Sequence, residues 1–126
     1  MLVVDASALS NALLLPGAAR EKLAAGDLHA PHLVDSEVTS ALRGLALGHR
    51  LSLTDAQAAL DGLLSADLVR HAAVPLTRRV WELRANLTAY DACYVALAER
   101  LGCPLVTADA RIARAPALRC AVEVVG

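Results

Sequence analysis

A chain of 126 residues has the length of one domain, residues 1–126, able to bury roughly two-thirds of the surface its unfolded form exposes. The apolar fraction, 56%, exceeds the roughly 45–50% usual for soluble domains, so some apolar surface is expected to face a second copy or a bound peptide. A formal charge of −1 neither indicates nor excludes nucleic acid, while the near absence of aromatics (Trp81, Tyr90 and Tyr94, no Phe) argues against a surface built for base stacking.

In chain order, Leu2-Val3-Val4 predicts a strand ended by Asp5, and Ser7 to Leu15 a helix stopped by Pro16-Gly17. A second helix runs from about Ala18 to Ala25, and Leu28-His29-Ala30 before Pro31 predicts the next strand. Asp35 to Leu47 carries a helical pattern closed by Gly48, and Thr54-x-x-Gln57 has the form of a capping box opening another helix. Leu68-Val69 with Ala72-Ala73-Val74 suggests a third strand, followed by helices from Leu76 to Leu87 and from Ala89 to Leu101, with Gly102 where a C′ glycine belongs. Pro104 to Thr107 reads as a strand, Arg111 to Arg114 as a short helix and Ala121 to Val125 as a last strand. Short apolar strands separated by helices imply an α/β fold, a three-layer sandwich around a central parallel sheet of about five strands.

Cys93, Cys103 and Cys120 form no C-x-x-C pair, so neither a zinc site nor a disulfide framework is indicated; they read as core thiols in a reducing compartment. No basic segment precedes an apolar stretch at the N-terminus and no apolar run approaches membrane-spanning length, so a cytoplasmic location without membrane attachment is expected. Eleven of the twelve basic residues are Arg, which offers planar forks for phosphate, although solvated helix faces explain any one of them equally well.

In an open parallel sheet, ligands bind beyond the carboxyl ends of the strands. Asp5 directly follows the first strand, and Asp109 comes two residues after Thr107. Glu37 and Asp91 fall in first turns of helices, with Asp35 and Thr88 as candidate N-caps. Each acid alone is explicable as a cap or a helix-dipole partner. Together, carboxylates converging on one sheet edge without a matching Lys or His would repel one another, and a bound cation would offset that cost. Hard oxygen ligands select magnesium or manganese, metals able to activate water and to stabilise charge on a phosphodiester.

The stretches Val3-Val4-Asp5-Ala6-Ser7-Ala8, Asp35-Ser36-Glu37-Val38 with Ala41-Leu42-Arg43, Leu87-Thr88-Ala89-Tyr90-Asp91-Ala92 and Leu105-Val106-Thr107-Ala108-Asp109 carry a resemblance. In that order and spacing, over nearly the whole chain, the sequence resembles PIN-domain ribonucleases of the VapC type, toxins of toxin–antitoxin pairs. The resemblance implies a PIN fold, an endoribonuclease dependent on Mg2+ or Mn2+, an RNA substrate, a cognate antitoxin that obstructs the site, and a homodimer. It makes Asp5, Glu37, Asp91 and Asp109 the catalytic acids, of which Asp5, Asp91 and Asp109 hold metal. Ser7, Asn86 and Thr107 are implied as supporting polar residues.

The alternatives differ in class. A non-catalytic PIN-fold module would bind RNA or a partner without cutting. A phosphoacceptor receiver domain would need a Lys after a late strand, whereas the only Lys is Lys22. A metal-independent ribonuclease could use His29 and His32 as acid and base, but solvated histidines are the ordinary expectation around a strand end.

Overall fold

Every strand of the computed structural model, which describes residues 1–126, is short, in keeping with a sheet whose strands serve mainly to carry helices. The strands are β1 (Leu2–Val4), β2 (Leu28–Pro31), β3 (Leu68–His71), β4 (Leu105–Thr107) and β5 (Val122–Val124). All pairings are parallel, in the order β3-β2-β1-β4-β5. The register sets Leu2 beside Leu28 and Val4 beside Val106, so β1 and β4 run side by side at the centre. β1 and β4 are buried along their whole length, which explains their unbroken Val, Leu and Thr composition.

The helices are α1 (Ala6–Leu14), α2 (Ala18–Ala24), α3 (Leu33–Leu47), α4 (Leu53–Ser65), α5 (Thr77–Glu82), α6 (Ala89–Leu101) and α7 (Ala110–Ala113). From β1 the chain steps outward through β2 to β3, then returns past β1 to β4, so the direction of winding reverses between β1 and β4. Helices α1 to α4 pack on one another, while α5 packs on α6, and α6 also lies along β1, β2 and β4. That close approach depends on small side chains: Ala92, Ala96 and Ala98 are buried beside Tyr94, Val95 and Leu97. Gly102 closes α6 at φ 66°, a left-handed conformation suited to glycine.

Several local expectations are corrected. The third strand ends at His71, because Ala73-Val74-Pro75-Leu76 turns into a 3-10 segment over Val74–Leu76 and leaves Val74 exposed. The helix expected over Leu76–Leu87 stops at Glu82, and the amides of Asn86 and Leu87 bond back to the Leu83 carbonyl in a series of turns. Helix α4 is capped by Ser52, whose hydroxyl accepts from the Asp55 amide at 3.1 Å, so Thr54 lies inside the helix. Helix α3 begins at Leu33, which places Asp35 within its first turn rather than at the cap. There Asp35 takes a two-pronged contact from Arg70 at 2.7 and 2.8 Å, which holds its carboxyl below the ordinary range. The apolar surplus is visible in exposed Leu15, Leu47, Leu53, Leu64, Trp81 and Tyr90. No helix is long and apolar enough to cross a membrane.

Candidate metal and catalytic site

The reversal between β1 and β4 opens a crevice at their carboxyl ends, where an open α/β sheet binds ligands. Asp5 leaves β1 there as the N-cap of α1 and is only 4% exposed. Its Oδ1 accepts from the Ala8 amide at 2.9 Å and from the Ser7 hydroxyl at 2.6 Å, and the Thr107 hydroxyl donates to Oδ2. The pairing continues across the crevice: the Ala108 amide donates to Ser7 Oγ at 2.9 Å, and the Asp109 amide donates to Thr107 Oγ1 at 3.0 Å. Ser7 and Thr107 therefore tie the end of β1 to the end of β4 and fix the Asp5 carboxylate between them.

Asp109 caps α7, accepting from the Arg111 amide at 2.9 Å. The Arg111 side chain also reaches it, with Nη2 donating at 2.7 Å, and those contacts hold the Asp109 carboxyl below its ordinary range. Asp91 stands in the first turn of α6, where its amide donates to the Thr88 cap at 3.1 Å. Burial pushes its carboxyl up; the Thr88 hydroxyl opposes this, while the charges of Asp5 and Asp109 add to the rise.

Glu37 lies in the second turn of α3, one turn later than the sequence indicated. Its Oε1 accepts a 2.6 Å hydrogen bond from Tyr94, which sits three residues after Asp91 on the same side of α6. Burial again raises the carboxyl, the Tyr94 bond lowers it, and Asp91 and Asp5 raise it further. Burial and Glu37 together push the Tyr94 phenol far above its ordinary range.

The four acids thus sense one another electrostatically at one crevice. Three of the four are turned to protein donors, however, and no three acidic, His or Cys side chains converge as a ready metal-ligand cluster. Asp5 is held by hydroxyls and an amide, Glu37 by a phenol and Asp109 by a guanidinium. Asn86 is exposed in the turn after α5, and its side chain bonds to none of the four.

Two contributors escaped the sequence reading of this site. Tyr94 was noted only as one of three aromatics, although its i+3 spacing from Asp91 was available. Arg111 was legible as one of many phosphate-binding candidates, not as the partner of Asp109. His29 is buried rather than solvated, with Nδ1 2.8 Å from Nε2 of His71, while His32 is exposed. The Nε2 of His29 lies 3.2 Å from Asp27 without hydrogen-bond alignment, and no bond links either His29 or His32 to the four acids.

A sheet reversed beside a set of carboxylates defines a class, and comparison agrees. The chain belongs to the PIN domain family, whose model matches residues 2–118. It is 52% identical over 125 residues to ribonuclease VapC9 of Mycobacterium tuberculosis, covering 99% of this chain and 98% of the relative. The crystal structure of PAE2754 from Pyrobaculum aerophilum superposes with a TM-score of 0.76 at 30% identity, over 98% of this chain and 90% of that one. VapBC2 from Rickettsia felis, solved bound to a DNA fragment from its promoter, shares the fold at TM-score 0.72 and 17% identity, covering 99% and 98% of the two chains. Within the PIN family, this chain falls among the VapC ribonucleases.

Proposed function

We propose that this chain is an endoribonuclease that hydrolyses RNA phosphodiester bonds with Mg2+ or Mn2+, as the toxin of a toxin–antitoxin pair. The observation that carries the metal dependence is the raised Glu37 and Asp91 carboxyls beside Asp5 and Asp109, with no Lys or Arg paired to Glu37, Asp91 or Asp5. Carboxylates disfavoured as ions by burial, and further by their neighbours' charge, suit a hard divalent cation, and the donor set is entirely oxygen. Asp5, Asp91 and Asp109 would hold it, with Glu37 completing the set. Bound there, the cation supplies Lewis acidity toward water and toward the phosphate oxygens.

The protein side chains do the positioning. Ser7 and Thr107 lock the rotamer of Asp5, and Tyr94 keeps Glu37 aimed into the crevice and favours its ionised form. Ionised Glu37 is suited to accept a proton from the attacking water. Arg111, whose side chain is 82% exposed, is free to exchange Asp109 for an RNA phosphate. Residues 1–126 act as one ribonuclease unit in the cytoplasm, a location supported by three free thiols. The exposed leucines support a homodimer and a docked cognate antitoxin that obstructs the crevice. The relatives' ribonuclease names support the activity, and the paired name of the Rickettsia felis complex supports the antitoxin.

The test uses protein freed of any partner and incubated with total RNA. Cleavage that requires Mg2+ or Mn2+ and stops with EDTA is expected. Cleavage that persists in EDTA overturns the metal assignment, and no cleavage under any metal favours a non-catalytic binding module.

A further inference from the structure

Between α1 and α3 runs a cleft of about 500 Å³ that begins at the catalytic crevice, since Ser7 and Glu37 line its edge. Away from that edge it is bordered by Ser10, Asn11, Ser40 and Gly44, with Arg50 also contributing to its lining. Ser10 is only 8% exposed, and its hydroxyl has no hydrogen-bond partner. A serine in a helix ordinarily bonds back to the carbonyl four residues earlier; here Ser10 does not, so its hydrogen-bonding capacity is unspent. The side chains of Asn11 and Ser40 make no hydrogen bond either, and a Cβ added at Gly44 would meet nothing within 4 Å. The cleft is therefore open and uncharged along most of its length, with walls that are mostly apolar at Leu14, Ala41 and Leu45 and with Asn11 and Ser40 as groups that both donate and accept.

We propose that this cleft is a binding pocket for one unpaired nucleobase of the RNA, next to the phosphodiester held at the carboxylates. This inference rests on the ribonuclease reading above. A base offers apolar faces that Leu14, Ala41 and Leu45 can cover and an edge of donors and acceptors that the Asn11 carboxamide and the Ser40 hydroxyl match, with the unspent Ser10 hydroxyl at the border of the cleft. Arg50 is placed for the neighbouring backbone phosphate. The volume accommodates a base with its ribose, well within the range of small-molecule sites. Arg50 and the opening onto the carboxylates favour a nucleotide over an apolar helix of a protein partner, which the test below separates.

The experiment separates this pocket from catalysis. In EDTA, the four nucleoside 5′-monophosphates and ribose 5-phosphate are titrated into the protein, and the backbone amide resonances are followed. At least one monophosphate is expected to shift the amides of Ser10, Asn11, Ser40 and Gly44, and ribose 5-phosphate to leave them unmoved. Ser10→Ala, which removes an unpaired hydroxyl and so spares the fold, is expected to weaken that binding about three- to tenfold and to raise KM for RNA by the same factor. Gly44→Trp, whose Cβ meets nothing within 4 Å, is expected to abolish the shifts and redistribute the cleavage sites, with an unchanged circular dichroism spectrum showing that α3 is kept. Equal shifts with ribose 5-phosphate, or unchanged binding and cleavage pattern in both variants, overturn the proposal even where Gly44→Trp loosens a protein partner. A protein that binds monophosphates yet never cuts RNA instead overturns the ribonuclease reading alone.

Discussion

Replacing Tyr94 with Phe isolates a contribution that the carboxylates alone do not show. The ring is 1% exposed, and Phe fills the same space, so no cavity follows. What is lost is one 2.6 Å hydrogen bond to Glu37. Bonds to charged groups contribute roughly 1.5–3 kcal/mol, and Glu37 keeps partial access to water, so the low end applies, about 1.5 kcal/mol. For a chain of this size that lowers Tm by about 4–8 °C. The effect on chemistry has a definite sign. Burial raises the Glu37 carboxyl and the Tyr94 bond opposes that rise, so Phe raises it further and protonates more of Glu37 at a given acidic pH. The acid limb of the kcat/KM profile should move to higher pH, with activity recovering on the alkaline side. Profiles of both proteins with Mg2+, together with thermal melts, provide the measurement. A loss of Tm with the acid limb unmoved would reduce Tyr94 to a packing residue and refute Glu37 as a group that must be ionised.

Asp5→Asn should abolish cleavage, and the structure adds a stability cost. Asn still caps α1, but its Nδ2 meets Thr107, whose hydroxyl must change from donor to acceptor, a rearrangement of about 1–2 kcal/mol readable by denaturant unfolding; undiminished cleavage would sink the assignment. Arg79→Met tests the far end of α6, where Arg79 holds Glu99 at 2.7 and 3.1 Å and the Glu99 side chain is 9% exposed. Because the Arg119 amide stays on Glu99, a cost of about 2–3 kcal/mol is expected at neutral pH. Burial pushes the Glu99 carboxyl up, but Arg79 and Arg119 outweigh it and hold it below the ordinary range, so this stabilisation exists above that range and is lost as pH falls through it. The stability gap between wild type and variant should close in acid; a gap constant with pH would refute the pairing as its source.

The centre of the fold was legible because β1 and β4 are short, β-rich runs, apolar but for Thr107, each with an acid at or just beyond its end. The edges were not. Val74 looks like strand, yet Pro75 cannot donate to a ladder and turns the chain into a 3-10 segment. Ser52 and Thr54 are both credible caps from sequence, and only the packing of α4 chooses Ser52. Glu37 drifted from a first to a second turn because α3 starts straight from β2, with the His32 amide bonded to the His71 carbonyl instead of a side-chain cap. Motif order named the four acids that sense one another electrostatically, whereas it did not name the donors on them. Tyr94 reaches Glu37 across α3 and α6, 57 positions apart, and no local pattern encodes that meeting.

Under the proposed metal assignment, those donors would set how the site loads. Neutral hydroxyls and an amide hold Asp5 and a phenol holds Glu37, so a cation can share their carboxylates without displacing a charge. Asp109 alone carries a guanidinium, and a cation must compete with it. The competitor is an exposed ion pair, of a kind that contributes little, so Arg111→Ala should tighten Mg2+ binding only about two- to fivefold. The Arg111 amide still caps through Asp109, so α7 should survive the change. Since the same guanidinium is free to meet phosphate, the variant should also show a raised KM for RNA. Magnesium titrations followed by Tm, and RNA titrations at saturating magnesium, read the two effects separately. Tighter metal with weaker RNA supports an arginine that trades one anion for another as substrate arrives. Unchanged or weaker magnesium affinity refutes it, because then Arg111 only orients Asp109.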